Sequence, residues 1–580
     1  MRRTAKLHQR LTLKTLSSAV SVLALAMQLC ACNSGKPMDT SDTQVSSQQL
    51  HTPKHAALHE QTLILIRNSD DAVPPRPKVY PVHAVYNREA IIPPMCYTRT
   101  EGKHNPCYVC HQNAIPDREN MMNDKNLQTA YSFSDAGLKN HWYNLFEDRS
   151  KHVNKMSDRE ILDWVNQDNY SELASRLRHR NFKGYIPDLK NLQEGAAAFN
   201  HEGFAIDGSH WVAFNYKPFP STFWPTNGST DDVMIRLPEP YRNTKAGKYS
   251  HDVYKANLAI VEANIKGVNR INTLTIDEKE INKDLNEDGS LSKINTITDT
   301  TAYVGAATGY FKQSFTYPKD TEFLHTVRYL GIEHNEITYS RRMKEVRYMK
   351  KWAAYPKYVL AQYYLEEEFE KEAGNLPGYT YLYDHGLDNG MGWSVQGFIE
   401  NKNGRLRVAS FEENLFCMGC HNSIGSTIDK TFSFGRKMDG AQGWGYINLK
   451  GMPDAPNIGE NQGEIATYFE RVGGGDEFRS NPEMMERWFD KNGNVDIAKM
   501  KNKDVYTLIT PSVERALQLN KAYKVIVQTQ DFLFGRDATV TPPKNIYETV
   551  NNNTSPTLSP EFQYDWNIRL DWTRTSPNAK

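Results

Sequence analysis

Two copies of one pentapeptide, Cys107-Tyr108-Val109-Cys110-His111 and Cys417-Met418-Gly419-Cys420-His421, constrain this chain more than any other feature. In each copy two thiols stand about one helical turn apart and an imidazole follows directly, so the three groups can address one flat object lying against the turn. C-x-x-C-H is the attachment pattern for c-type haem, in which the sulfurs form thioethers to the porphyrin vinyl groups and the histidine supplies the proximal iron ligand. The motifs predict two covalently attached haem c groups, held by Cys107, Cys110, Cys417 and Cys420, with His111 and His421 on the irons. Zinc and a redox dithiol are the alternatives. Zinc sites set their cysteine pairs roughly 15 to 20 residues apart, whereas here 417 − 107 = 310 positions separate the two motifs. A dithiol needs no following histidine, yet both copies have one.

The amino-terminal end predicts export. Arg2, Arg3, Lys6, Arg10 and Lys14 precede an apolar run over residues 19–29, which makes a charged region and a short hydrophobic region of the signal-peptide kind. The run is too short for a stable spanning helix. It ends in Leu29-Cys30-Ala31-Cys32, which resembles a bacterial lipobox with Cys32 as the lipidated residue. Arg2-Arg3 lacks the rest of a twin-arginine motif, and haem c is attached after translocation, so general secretory export is expected. Asn33 is not the Asp that favours inner-membrane retention in lipoproteins, so the resemblance implies an outer-membrane anchor facing the periplasm or the cell surface.

Residues 1–32 therefore read as signal peptide and lipobox, and the polar stretch 33–60 as a flexible tether. A first haem region follows over 61–198. It includes a helix, or a broken pair of helices, over 157–180, started by Ser157 with Glu160 three residues on. Residues 199–340 alternate in short apolar runs, as at 211–216, 233–237 and 271–276, and predict a β-containing middle domain. The second haem region spans 341–550: helical periodicity over 342–372, interrupted at Pro356, then a strand-like approach over 393–411. The tail 551–580, rich in Pro, Ser and Asn, is expected to wrap the surface. The expected fold class is α+β, with mainly helical and loop-rich haem-binding regions flanking the β-containing domain.

Further residues carry chemistry. The sixth iron position decides between electron transfer and reaction with a small molecule. Candidates are Met95, His104, Met121, Met122, His141 and His152 for the first haem, and Met438, Met452, His325 and His385 for the second. A lone Met is more often core filler. His325 stands out for its apolar context, Phe323-Leu324-His325-Thr326-Val327, where a satisfied core histidine is the alternative. With Cys32 lipidated and four cysteines on haem, Cys96 has no disulfide partner in the mature chain; it is a thiolate ligand candidate or a plain buried thiol. Asp284, Asn286 and Asp288, with the carbonyl of Ser290, match ligand positions of an EF-hand calcium loop around Gly289, but Asn295 replaces the closing Glu, and a solvated Asx turn is the other reading. Residues 224–232 could edge a pocket or simply connect two strands.

The two haem motifs and the lipobox make the chain resemble a dihaem c-type cytochrome exported as a bacterial lipoprotein. That resemblance implies electron transfer in the cell envelope, with a redox protein or a small-molecule electron donor or acceptor as partner and the membrane reached through lipid. Its alternative is a dihaem redox enzyme, a peroxidase, oxygenase or sulfur-compound oxidoreductase, with one open iron. Dihaem peroxidases usually place their motifs closer together, so their catalytic residues do not carry over. A third class uses the middle domain to bind a surface partner. Zero formal net charge argues against nucleic acid. Replacing Cys32 with Ser is expected to move the protein from the detergent phase to the aqueous phase on detergent partitioning of cell envelopes; unchanged partitioning would remove the lipid anchor.

Overall fold

A computed structural model describes residues 92–115, 122–129, 131–220, 223–373, 375, 377–474, 480–551 and 555–575, all within one compact unit, Leu58–Lys580. The signal peptide, Cys32 and the tether lie outside the described residues. Ten strands are present among them: β1 (Val212–Ala213), β2 (Thr230–Arg236), β3 (Ile271–Asp277), β4 (Lys293–Ile297), β5 (Glu322–Glu333), β6 (Glu336–Lys351), β7 (Thr380–Tyr381), β8 (Leu387–Asp388), β9 (Trp393–Glu400) and β10 (Leu406–Val408). Eight of them form one antiparallel sheet in the order β1-β2-β5-β6-β9-β8-β7, with β10 on β9; β3 and β4 pair separately. The helices that matter for the site are α1 (Asp158–Val165), α2 (Leu173–His179), α3 (His251–Lys266), α4 (Lys357–Glu372), α5 (Phe411–Met418), α6 (Glu464–Val472) and α7 (Val513–Thr529). The fold is α+β with a β-rich middle region.

Local chemistry explains the element ends. Ser157 caps α1 by accepting from Glu160 N, and a second helix, α2, follows after a break, so residues 157–180 are a broken pair. Ser410 and Glu413 form a reciprocal capping box that starts α5, the helix leading into the second pentapeptide. The strands expected near 211–216, 233–237, 271–276 and within 393–411 are present as β1, β2, β3 and the pair β9 and β10.

The long hairpin β5–β6 organises the sheet. Cross-strand partners share a face, and successive residues alternate. Leu324, Val346, Tyr348 and Phe398 lie on one face, in a core cluster with Trp211 and Met234. Phe323, His325, Val327, Glu345, Arg347, Met349 and Val395 belong to the opposite alternation and line a cavity. Val327 pairs with Glu345 but Arg328 pairs with Met343, so Lys344 is an extra residue on β6. This bulge reverses the phase of alternation and brings Lys344 beside Glu345 on the cavity wall.

Three expectations are corrected. Residues 342–351 are strand, and the helix begins only after Pro356, which is the N-cap residue of α4. Both faces of β6 are buried and one carries charges, so the polar and apolar residues do not alternate cleanly and mimic a helical spacing. The tail is also more than a surface wrap: Trp566, Ile568, Leu570 and Trp572 are buried in the main core, and Trp566 N donates to Gln112 Oε1 at 2.8 Å, directly after the first motif. The sheet draws strands from residues 212 to 408, so it crosses the expected boundary at 340 within β6.

Arg328 shows how charge is buried in this sheet. Its Nε donates to Asp232 Oδ2 at 2.8 Å and its other nitrogens donate to the carbonyls of Ser340 and Leu192, while Thr326 and Tyr446 donate to the same carboxylate. Removing one partner of such a pair leaves the other charge buried and uncompensated. Arg328→Met is expected to lower unfolding stability by about 3–5 kcal/mol, read as a lower urea midpoint at unchanged slope.

Candidate functional site

The two pentapeptides meet at one cavity of about 500 Å³. Cys107, Cys110, His111, Cys417, Cys420 and His421 all line it, together with Trp142, Phe214, Phe219, Phe223, Phe416 and Phe432. A void of this size is of ligand-pocket dimensions, whereas the gaps left by ordinary core packing seldom exceed a water molecule. The segments touch directly: Ser426 N donates to Cys110 O at 3.1 Å. Gly425 allows that approach, since a Cβ there would lie 2.4 Å from Gln112 O.

Each pentapeptide is a tight turn. Cys110 N and His111 N both donate to Cys107 O at 3.1 and 3.0 Å, and Cys420 N and His421 N donate to Cys417 O at 3.3 and 2.9 Å. The first is a 3₁₀ turn, Cys107–Val109, and the second begins in the last turn of α5. Each histidine is anchored through Nδ1. His111 Nδ1 lies 3.0 Å from Asp124 Oδ2, and His421 Nδ1 lies 2.8 Å from Lys430 O. A carboxylate and a carbonyl only accept, so Nδ1 carries a proton in both rings, and Nε2 is the nitrogen through which each ring would bind a metal. This is the orientation that second-sphere acceptors impose on metal-bound imidazoles. Asp124 is itself held by Gln112 N, 2.8 Å from Oδ1. Burial, opposed by the bond to Lys430 O, lowers the pKa of His421 to about 4, so the ring is neutral at neutral pH.

Burial raises the Cys107 thiol to about 12 and the Cys420 thiol to about 11, with Arg347 opposing the rise at Cys420; it also raises Cys96, Cys110 and Cys417. Thiols shifted this way are the reverse of the activated thiolates of redox dithiols. Among the described residues no group of three or more His, Cys, Asp or Glu side chains converges to hold a bare metal ion. The donor set instead fits two haem c groups: paired thiols, an imidazole with a free Nε2 at each turn, and an aromatic-lined space shared between them. Cys107, Cys110 and His111 would hold one group and Cys417, Cys420 and His421 the other.

Of the sixth-position candidates, Met95 and His325 line the cavity, and so does Cys96. The others do not. His104 packs on Gly473, Met122 joins a cluster with Leu360, Tyr364 and Met391, and His141 Nε2 lies 2.6 Å from Ala136 O. His152 and His385 are exposed, Met438 Sδ accepts from Asn215 Nδ2 at 3.3 Å, and Met452 is buried in the main core. Met121 lies outside the described residues. From the segment 224–232, Asn227, Ser229 and Asp231 reach the wall, so it edges the pocket as well as joining strands.

The loop at 284–290 is folded by its own hydrogen bonds. Asp284 accepts from Glu287 N and Gly289 N, Asp288 accepts from Ser290 N and Oγ, and Asn286 Nδ2 donates to Asp288 Oδ2. Buried Glu278 adds three more, accepting from Leu285 N, Asn286 N and Ser292 N. These bonds account for the turn through Asx geometry.

Sequence reasoning missed the charged wall. Glu345 Oε2 accepts from Arg347 Nε at 2.8 Å and lies 2.9 Å from Arg536 Nη1, and Lys344 Nζ donates to Gly228 O at 2.7 Å and Ser229 Oγ at 3.0 Å. The phase change at the Lys344 bulge hides this grouping from any pattern read along the strand.

A lipoprotein family model matches residues 79–506, a span that includes both pentapeptides. An uncharacterized lipoprotein of Aquifex aeolicus (strain VF5) is 34% identical over 514 residues, covering 78% of this chain and 86% of the relative. The protein is thus of the cell-envelope lipoprotein class, and the chain belongs to this lipoprotein family. No solved structure matches it, and no described helix is long and apolar enough to cross a membrane.

Burial lowers the pKa of Lys344 from 10.5 to about 7, against the opposing charges of Glu400, Glu345 and Asp537. The folded state therefore binds this proton more weakly than the unfolded state does. Its destabilising contribution is full below pH 7 and fades as pH rises toward 10.5. Lys344→Met is expected to raise the urea midpoint relative to the parent more at pH 6 than at pH 9.5; an equal change at both would show that the amine is not depressed.

Proposed function

We propose that this protein is a lipid-anchored dihaem cytochrome c that carries out electron transfer in the cell envelope, with Cys32 as the acylated residue and the outer membrane as its site. One observation carries the reading: two attachment motifs 310 positions apart line one cavity, and both histidines have Nδ1 turned away onto an acceptor. Bound haem supplies one-electron chemistry at iron. The chain supplies four sulfurs for attachment, two imidazoles oriented by Asp124 and the Lys430 carbonyl, and a wall of aromatic rings. Two groups sharing one cavity would lie near each other, which suits transfer between them and outward to a redox partner.

The charged wall favours a second reading, a dihaem redox enzyme with one open iron. Lys344, Glu345, Arg347 and Asp537 give the cavity ionisable groups beyond what a carrier requires.

The test is haem content. Full-length protein matured with a cytochrome c assembly system is expected to carry about two covalent haems per chain by pyridine haemochrome absorbance and intact mass. Cys107→Ala/Cys110→Ala and Cys417→Ala/Cys420→Ala should each lose one. A parent protein that folds without covalent haem would overturn the proposal. Ligand-binding spectra of the reduced protein separate the two readings: carbon monoxide uptake at one haem favours the enzyme, and none favours the carrier.

A further inference from the structure

We infer that His325 closes the iron face opposite His421, as sixth ligand to the haem attached at Cys417 and Cys420. The inference rests on the dihaem reading and deepens it, naming the group that decides whether that iron is saturated.

Three observations lead to it. The first is register. Val233, His325, Arg347 and Gly397 form one cross-strand row across β2, β5, β6 and β9, and the first three side chains line the cavity. At the end of the row Gly397 N donates to Asn414 Oδ1 of α5 at 2.8 Å, and Ala409 N donates to Gly397 O at 2.9 Å. A Cβ at Gly397 would lie 2.8 Å from that Asn414 oxygen, so the glycine permits the contact. The helix that carries Cys417 is thereby docked on the row that contains His325.

The second is an orphaned nitrogen. His325 Nε2 is buried and makes no hydrogen bond; Asp231 Oδ2 is 3.5 Å away, beyond ordinary hydrogen-bond length, and already accepts from Tyr216 OH at 2.5 Å. A buried polar atom left without a partner calls for one. The ring belongs to a residue that lines the cavity shared with His421, and iron there would give the nitrogen its partner.

The third is ring orientation. His325 stands edge-on to Phe223, centroids 5.1 Å apart at 84°, and the Arg347 guanidinium covers the same phenyl ring at 5.3 Å. The imidazole is therefore held between its own strand and an aromatic wall. Met95 and Cys96, the other ligand candidates lining the cavity, sit in the short turn Pro94–Tyr97 before the first motif, whereas His325 shares its cross-strand row with Gly397, which anchors the helix of the second.

The experiment compares spin state in the parent, His325→Ala and His325→Met, all as full-length, haem-loaded protein with covalent haem counted first. The parent should hold the second haem low-spin and closed to carbon monoxide. His325→Ala should convert one haem equivalent to high-spin and let it bind carbon monoxide, with added imidazole restoring the low-spin spectrum. His325→Met should stay low-spin and raise the midpoint potential of one haem, since Met/His ligation raises potential; this variant serves if the alanine form does not fold. Two covalent haems with spin state and potential unchanged in both variants would overturn the assignment of His325 alone. A high-spin haem in the parent that is lost with Cys417→Ala/Cys420→Ala and is insensitive to His325 would do the same. A parent chain without covalent haem would overturn the dihaem reading itself.

Discussion

The pairing of β5 with β6 is the constraint on which the rest depends. Two long strands held in one register present opposite faces to two different environments, a packed core containing Leu324, Val346 and Tyr348, and a cavity wall containing His325, Glu345 and Arg347. A slip of one residue would exchange them and put charges into the core. The extra residue at Lys344 breaks the alternation and adds a cation to the wall, and a second register shift follows between Arg328 and Leu330.

The two pentapeptides are placed by different means. The second is delivered by α5, started by the Ser410 and Glu413 capping box and docked on β9 through Asn414. The first sits in short turns with few regular elements nearby, and its surroundings are completed by the tail, whose Tyr564 and Trp566 backbones bond to Gln128 and Gln112. The convergence at Ser426 and Cys110 depends on segments from both ends of the compact unit.

Much was legible in advance. A capping signal located α1, and short apolar runs located β1, β2, β3 and β9, because these features act over a few residues; the capping box that starts α5 was not read from the sequence. The misreadings came where tertiary burial outweighs local pattern. Residues 342–351 are covered on both faces and so lose clean alternation. The tail looks like a polar wrap by composition, yet Trp566 and Trp572 decide its position by filling the core. Among ligand candidates, apolar context singled out His325 and the structure brings it to the cavity, whereas His104, His141, Met438 and Met452 were equally eligible by composition and lie elsewhere.

By itself the sequence determined the chemical identity of the site: two thiol pairs each followed by an imidazole, a spacing set by the length of one turn and independent of anything distant. It also carries, in residues 1–32, the pattern from which export is expected. Tertiary structure alone decided that the two motifs share one cavity, which histidine nitrogen is tied back, and which charged residues stand in the wall. Those facts depend on the pairing of strands and on contacts between residues hundreds of positions apart, and no periodicity along the chain encodes them.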